Sequence, residues 1–178
     1  MKMTIIRECS DFLRDSEGQP LIKFLPIEGP NTRKLKVRKR KTNSSFDTLF
    51  NTVFIDYPDL RQRCVFTAGL SAPKDTEEAH DTSLEAFYVF PINGFKFIYS
   101  ANVFNSAVQY KDTLEKIAEV METGEANATF SEVLKYDYIS DHLALGITLG
   151  CEIILYGFPN YYAIRQNTLN NYSSLFSL

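Results

Sequence analysis

The residue of this sequence best placed to do chemistry is a glutamate. Glu152 interrupts an apolar run, Leu149-Gly150-Cys151-Glu152-Ile153-Ile154-Leu155-Tyr156. With the two-residue period of a strand, Cys151, Ile153 and Leu155 share one face, and Glu152, Ile154 and Tyr156 share the other. A carboxylate in so apolar a strand has two explanations. Either it reaches an exposed face and pairs with a Lys or Arg at the sheet edge, or it is held at a site as a fixed negative charge. Arg38 and Arg40 are a second feature, because a guanidinium offers the flat, two-pronged grip that phosphate needs. Thr67 is a third. It lies in Phe66-Thr67-Ala68-Gly69, where a hydroxyl at a strand end can orient a neighbouring carboxylate or a ligand hydroxyl. The plainer reading of Thr67 is an ordinary β-branched strand residue.

These residues need elements to carry them. Between Arg33 and Lys41 lie seven of the 19 Lys and Arg residues, so the other 12 face 22 Asp and Glu. The chain is therefore acidic with one concentrated positive element. Such an element attracts phosphate, whether in a nucleotide, a nucleic acid or a cofactor. Alternatively, it is a solvated edge strand whose lysines discourage aggregation. The segment alternates, with Leu35 and Val37 on one face and Lys36, Arg38 and Arg40 on the other, which predicts a strand over 33–41.

Around it, apolar spacing predicts a helix over 4–15, a short apolar segment over 21–27 and a helix over 45–55. A strand over 61–68 carries Thr67. Residues 70–84 read as a polar loop able to act as a flap. Ile92-Asn93-Gly94, between two aromatic runs at 87–91 and 95–99, predicts a hairpin. Helices follow over 110–123, with Gly124 just past the end, and over 131–137 and 141–148, with Ser131 and Ser140 as caps. A second hairpin joins 151–156 to 161–165 over 157–160, and the tail from Gln166 is expected to fray.

At 178 residues and 44% hydrophobic, the chain suits a single domain with a real core. It divides into an N-terminal helical segment over 1–30, a core over 31–166 and a tail over 167–178. No stretch approaches the roughly 20 apolar residues that span a bilayer. The N-terminus meets charge too early for a signal peptide. Cys9, Cys64 and Cys151 have no short spacing and read as buried free thiols in a reducing cytoplasm. His80 and His142, among scattered acids, make no metal-ligand pattern. The mixed order of helices and short strands predicts an α+β fold with a mainly antiparallel sheet, and no phosphate-loop or Rossmann glycine pattern is present.

The order of the three features carries a family resemblance. A basic segment with Arg comes first, a strand ending in a hydroxyl residue next, and a Glu in a late strand followed by an aromatic segment last. This resembles the ADP-ribosyltransferase family of the Arg, Ser/Thr, Glu type. Leu35-Lys36-Val37-Arg38 looks like its first strand, Val65-Phe66-Thr67 like its Ser/Thr strand, and Cys151 to Tyr156 like its catalytic-glutamate strand. Tyr88 to Phe95 also looks like a set of tailed-phage proteins with that fold.

The resemblance covers about residues 33–165. It implies a split antiparallel sheet with flanking helices, NAD as substrate, and transfer of ADP-ribose to a host protein or nucleic acid, in the host cytoplasm for a phage protein. Glu152 would stabilise the ribosyl cation, Thr67 would position Glu152, Arg38 or Arg40 would hold the pyrophosphate or ribose, and Phe66 or Tyr99 would stack on nicotinamide. Two positions depart from the family pattern. Gly150 stands where arginine-modifying members carry Glu or Gln, and the Ser-Thr-Ser motif is reduced to Thr67-Ala68. The competing expectation is a binding protein without catalysis, docking an acidic partner or nucleic acid through 33–41.

Overall fold

The computed structural model describes residues 1–40, 47, 50, 51, 53, 54, 56, 57, 59–69, 81–102, 113, 116, 123–171 and 173–176. It opens with two short helices, α1 (Lys2–Glu8) and α2 (Ser10–Asp15), not the single helix expected over 4–15. The break at Cys9 follows from what docks there. Asn93 gives its backbone N–H to the Glu8 carbonyl at 2.7 Å and its Nδ2 to the Arg7 carbonyl at 3.1 Å. Its Oδ1 accepts the Asp11 N–H at 3.1 Å. One asparagine thus satisfies backbone groups left over at the end of α1 and the start of α2.

Among the described residues, seven strands follow: β1 (Leu21–Pro26), β2 (Thr32–Lys36), β3 (Val65–Gly69), β4 (Leu84–Pro91), β5 (Lys96–Tyr99), β6 (Glu152–Tyr156) and β7 (Asn160–Arg165). They form one antiparallel sheet in the order β2-β7-β4-β1-β3-β6-β5. Helices α3 (Thr123–Asp137) and α4 (Leu143–Thr148) precede β6. The protein is therefore a mixed α+β fold, as its sequence pattern indicates. The central strand, β1, falls within the 1–30 stretch expected to be helical.

Neither expected hairpin forms. β4 pairs with β1 and β7, and β5 pairs with β6. A two-residue hairpin turn of the Asn-Gly kind needs positive φ at both central residues. Here Gly94 has φ 82°, Asn93 is not in that region, and its side chain is committed to the helices. Likewise β6 pairs with β3 and β5, and β7 with β2 and β4, so residues 157–159 cross between strands that are not neighbours.

The join at the middle of the sheet is narrow. β1 pairs with β4 over six residues but with β3 only through Leu21–Gly69 and Ile22–Ala68. Two apolar clusters cover opposite faces of β3 and β6. Val65, Ile153 and Leu155 belong to one, together with Leu143 and Ile147 of α4 and Ile5, Cys9 and Phe12 of α1 and α2. Ile154, Tyr156 and Cys64 belong to the other, with Phe50, Leu60, and Phe130 and Leu134 of α3, and with Phe66 against it. Gly69 lets α4 approach, because a Cβ there would lie 2.0 Å from the Ile147 carbonyl oxygen.

Other expectations are corrected locally. Ser131 lies inside α3 and donates to the Asn127 carbonyl at 2.8 Å, and Gly124 lies in its first turn. His142, not Ser140, occupies the N-cap of α4, with φ 52°. The described part of the tail expected to fray makes 3-10 turns at Gln166–Asn171 and Ser173–Leu175 and buries Leu175 and Phe176, the latter against Tyr88 and Phe90. Residues 70–80 of the expected flap lie outside the described residues. So does most of the helix expected over 110–123, although Thr113 and Lys116 are helical. Of the helix expected over 45–55, Asp47, Phe50, Asn51 and Val53 are described and helical. All three cysteines are buried free thiols.

Candidate functional site

Glu152 is the first residue of β6, half-buried, and opposite Ala68 of β3. Strand alternation puts it on the face of Ile154 and Tyr156, and the next pair along, Phe66–Ile154, is on that same face. Phe66 is where the cations gather. The guanidiniums of Arg40 and Arg61 each lie 4.6 Å from its ring centroid, a contact worth about 0.5–2 kcal/mol. Lys23 gives its ammonium to the Phe66 carbonyl at 3.2 Å. That contact sits beside the narrow join, where β1 and β3 have stopped pairing after Ile22 and Ala68.

Arg40 arrives by an irregular path. The strand expected over 33–41 stops at Lys36. Beyond it the Val37 N–H donates to the Pro159 carbonyl and the Arg40 N–H to the Gln62 carbonyl, both at 2.9 Å. This strap carries Arg40 from the β2 edge of the sheet to the start of β3. Its guanidinium donates to the Cys64 carbonyl at 3.3 Å. The described contacts of Arg40 are a carbonyl, a thiol and a ring, none of them anionic. Arg61, by contrast, is 6% exposed and pairs with Asp47 at 2.9 Å.

The electrostatics of the region are reported by Cys64. Burial pushes its thiol up to about 11. Arg40 and then Arg61 pull it down, Glu152 pushes it up, and Lys23 pulls it down. Cys64 lies on the face that carries Glu152, and each of these four charged groups acts on its thiol. Chemically, the arrangement joins one carboxylate to several cations beside an aromatic ring, which suits an anionic ligand with a centre that becomes positive.

The other sequence-derived site residues fall elsewhere. Thr67 is 4% exposed and lies opposite Ile153, on the reverse face of the sheet from Glu152; its hydroxyl donates to the Ile153 carbonyl at 3.0 Å. Tyr99 is 1% exposed, also opposite Ile153, with its ring against Gly146 and its hydroxyl donating to the His142 carbonyl at 3.3 Å. A ring so enclosed does not stack on a ligand. Arg38 is exposed on the strap. Phe66 has its ring engaged by guanidiniums, so it anchors Arg40 instead of offering a bare face. Sequence reasoning missed Lys23 and Arg61. The same signal that marked Glu152, a lone charge in an apolar run, marks Lys23 in Leu21-Ile22-Lys23-Phe24-Leu25.

Cavities lined by described residues open elsewhere on the surface. One of about 770 Å³ lies between His142, Asp141, Glu17 and Phe97. Another of about 830 Å³ lies beneath the strap. Glu152, Thr67, Arg38 and Arg40 line neither of them. No family model, curated protein or solved structure matches the chain.

Proposed function

We propose that this chain is an NAD-dependent ADP-ribosyltransferase that moves ADP-ribose onto a macromolecule in the cytoplasm where it acts, with Glu152 as its catalytic residue. The observation that carries the reading is the placement of Glu152 and Arg40 on one face of β3 and β6, with Phe66 between them in register. The narrow join between β1 and β3, which leaves Lys23 beside Phe66, agrees with the split antiparallel sheet of that family.

In the reaction, the bond between ribose C1′ and the nicotinamide nitrogen breaks, and its electron pair leaves with neutral nicotinamide. Positive charge grows on the ribose and is stabilised by the Glu152 carboxylate. Arg40 and Lys23 hold the pyrophosphate by charge-assisted hydrogen bonds. The acceptor nucleophile then bonds to C1′ and gives up its proton to Glu152 or solvent. Thr67 takes no part in positioning the carboxylate in this scheme. It ties β3 to β6 instead.

The test is calorimetric binding of NAD, followed by release of nicotinamide from labelled NAD in the presence of cell lysate. Wild type binds NAD and releases nicotinamide, and Glu152→Gln binds NAD with turnover reduced on the order of a hundredfold or more. Absence of NAD binding to folded wild type sinks the reading.

A further inference from the structure

We propose that the cavity beneath the strap is a binding site for one unpaired base of a single-stranded nucleic acid. This inference is independent of the NAD reading, because the cavity lies at the other end of β6. Tyr156 lines it and Glu152 does not, and four residues of strand separate them by about 13 Å.

The cavity has a volume of about 830 Å³, within the ~300–1,000 Å³ that ligand sites occupy. Its floor is aromatic. Tyr57 meets Tyr156 edge-on at 4.6 Å, Phe158 also lines the cavity, and of these rings Tyr57 is the most open. Planar rings of this kind hold a base by its face, whatever its sequence.

The rim is cationic. Lys36 and Arg63 line it, and Lys39 reaches it by pairing with Asp59 at 3.2 Å. Arg38 follows Val37 in the same strap and is exposed. Two carboxylates face the same space. Asp59 is neutralised by Lys39 and by Arg63 at 3.3 Å. Asp56 is exposed and close enough to Tyr156 to push its phenol up, behind the larger effect of burial. A carboxylate there can accept an exocyclic amine of a base. Behind the cavity wall, Lys96 is bonded to the Tyr57 hydroxyl and lies 4.7 Å from its ring centroid.

These features together select the ligand. An acidic peptide would gain from the rim cations but meet Asp56 beside them and leave the rings unused. Duplex nucleic acid cannot present a base face to a cavity. A single strand supplies both phosphates for Lys36, Arg38 and Arg63 and a base for Tyr57.

The experiment is fluorescence anisotropy with labelled single-stranded oligonucleotides of about 12 nucleotides, without NAD, across a salt series. The expected result is binding that weakens with salt. Lys36→Glu, an exposed change, should reduce the logarithmic salt slope by about 0.7 or more. Tyr57→Leu should weaken binding on the order of tenfold, with circular dichroism confirming its fold. Should Tyr57→Leu not fold, quenching of tyrosine emission by the bound strand tests the ring contact in wild type. The proposal is overturned by absence of binding, by equal affinity for duplex, or by polyglutamate competing as well as an oligonucleotide of matched charge. It is also overturned by wild-type affinity in folded Tyr57→Leu, or by a strand that binds without quenching.

Discussion

Thr67 gives its hydroxyl proton to the Ile153 carbonyl at 3.0 Å, and by doing so faces away from Glu152, the residue directly before Ile153. The bond ties β3 to β6 on the side of the larger apolar cluster, where 4% of Thr67 is exposed. Thr67→Val should therefore cost about 1 kcal/mol of stability, read as a lower denaturant midpoint. Thr67→Ser, which keeps the donor, should retain most of it. A Thr67→Val protein as stable as wild type would show that the bond contributes nothing.

Arg40 and Arg38 are two residues apart on the strap, yet only Arg40 reaches Phe66 and Cys64 among the described contacts. Under the transferase reading, Arg40→Ala should weaken NAD binding by about tenfold or more, the loss of a charge-assisted contact. Arg38→Ala should stay within about twofold. Calorimetry on both variants decides between them, and a larger loss in Arg38→Ala would move the phosphate site outward.

Arg61 and Asp47 form a buried pair, with 6% and 13% of their side chains exposed. Removing one partner leaves the other charge uncompensated in an apolar setting. Asp47→Ala should cost about 3 kcal/mol, and adding Arg61→Met should recover part of it. Thermal or urea melts of the single and double variants measure the difference. Equal stabilities of the two would show that the pair is solvated.

Glu8 couples α1 to β2 and β7. It accepts from Lys34 at 2.8 Å and from the Tyr162 hydroxyl at 2.7 Å. The Lys34 bond first, and then the Tyr162 bond, lowers its carboxyl from 4.5 to about 2. A carboxyl depressed in the folded state stabilises the protein above its ordinary value and loses that contribution as pH falls through the folded value. Melting temperatures of wild type and Glu8→Gln should therefore converge between pH 4.5 and about 2, with wild type the more stable above that window. A constant gap across it would mean that Glu8 carries no such coupling.

Much of the architecture was legible from alternation and apolar spacing. The strand expected over 61–68 begins at Val65 and buries Thr67, whereas β6 divides Ile153 and Leu155 from Ile154 and Tyr156 as its alternation indicates. Pairing was not legible. Asn93-Gly94 has the composition of a hairpin turn, but Asn93 is bonded to α1 and α2, which are about 80 residues away in sequence. The site was half legible for the same reason. Glu152 announced itself as a charge in an apolar run. The company it keeps, Arg40 and Lys23, depends on a strap held by Pro159 and Gln62 and on a sheet join at Ile22, none of which leaves a local trace. The alternation of Lys36, Arg38 and Arg40 looks the same in an irregular strap as in a strand.

The crossing connections have a kinetic consequence. Among the described residues, no strand pairs with a neighbour through a short turn; the shortest loop closed between two strands runs from Ile22 to Ala68, 46 residues, and the isolated bridge from Tyr99 to Ile139 closes one of 40. The chain must meet that closure entropy before the first ladder forms. A sheet built from pairings this distant forms slowly, toward the millisecond-to-second scale. Its apolar strands stay open to other chains in the meantime, which makes crowded, rapid synthesis the condition under which this protein is most exposed to misassembly.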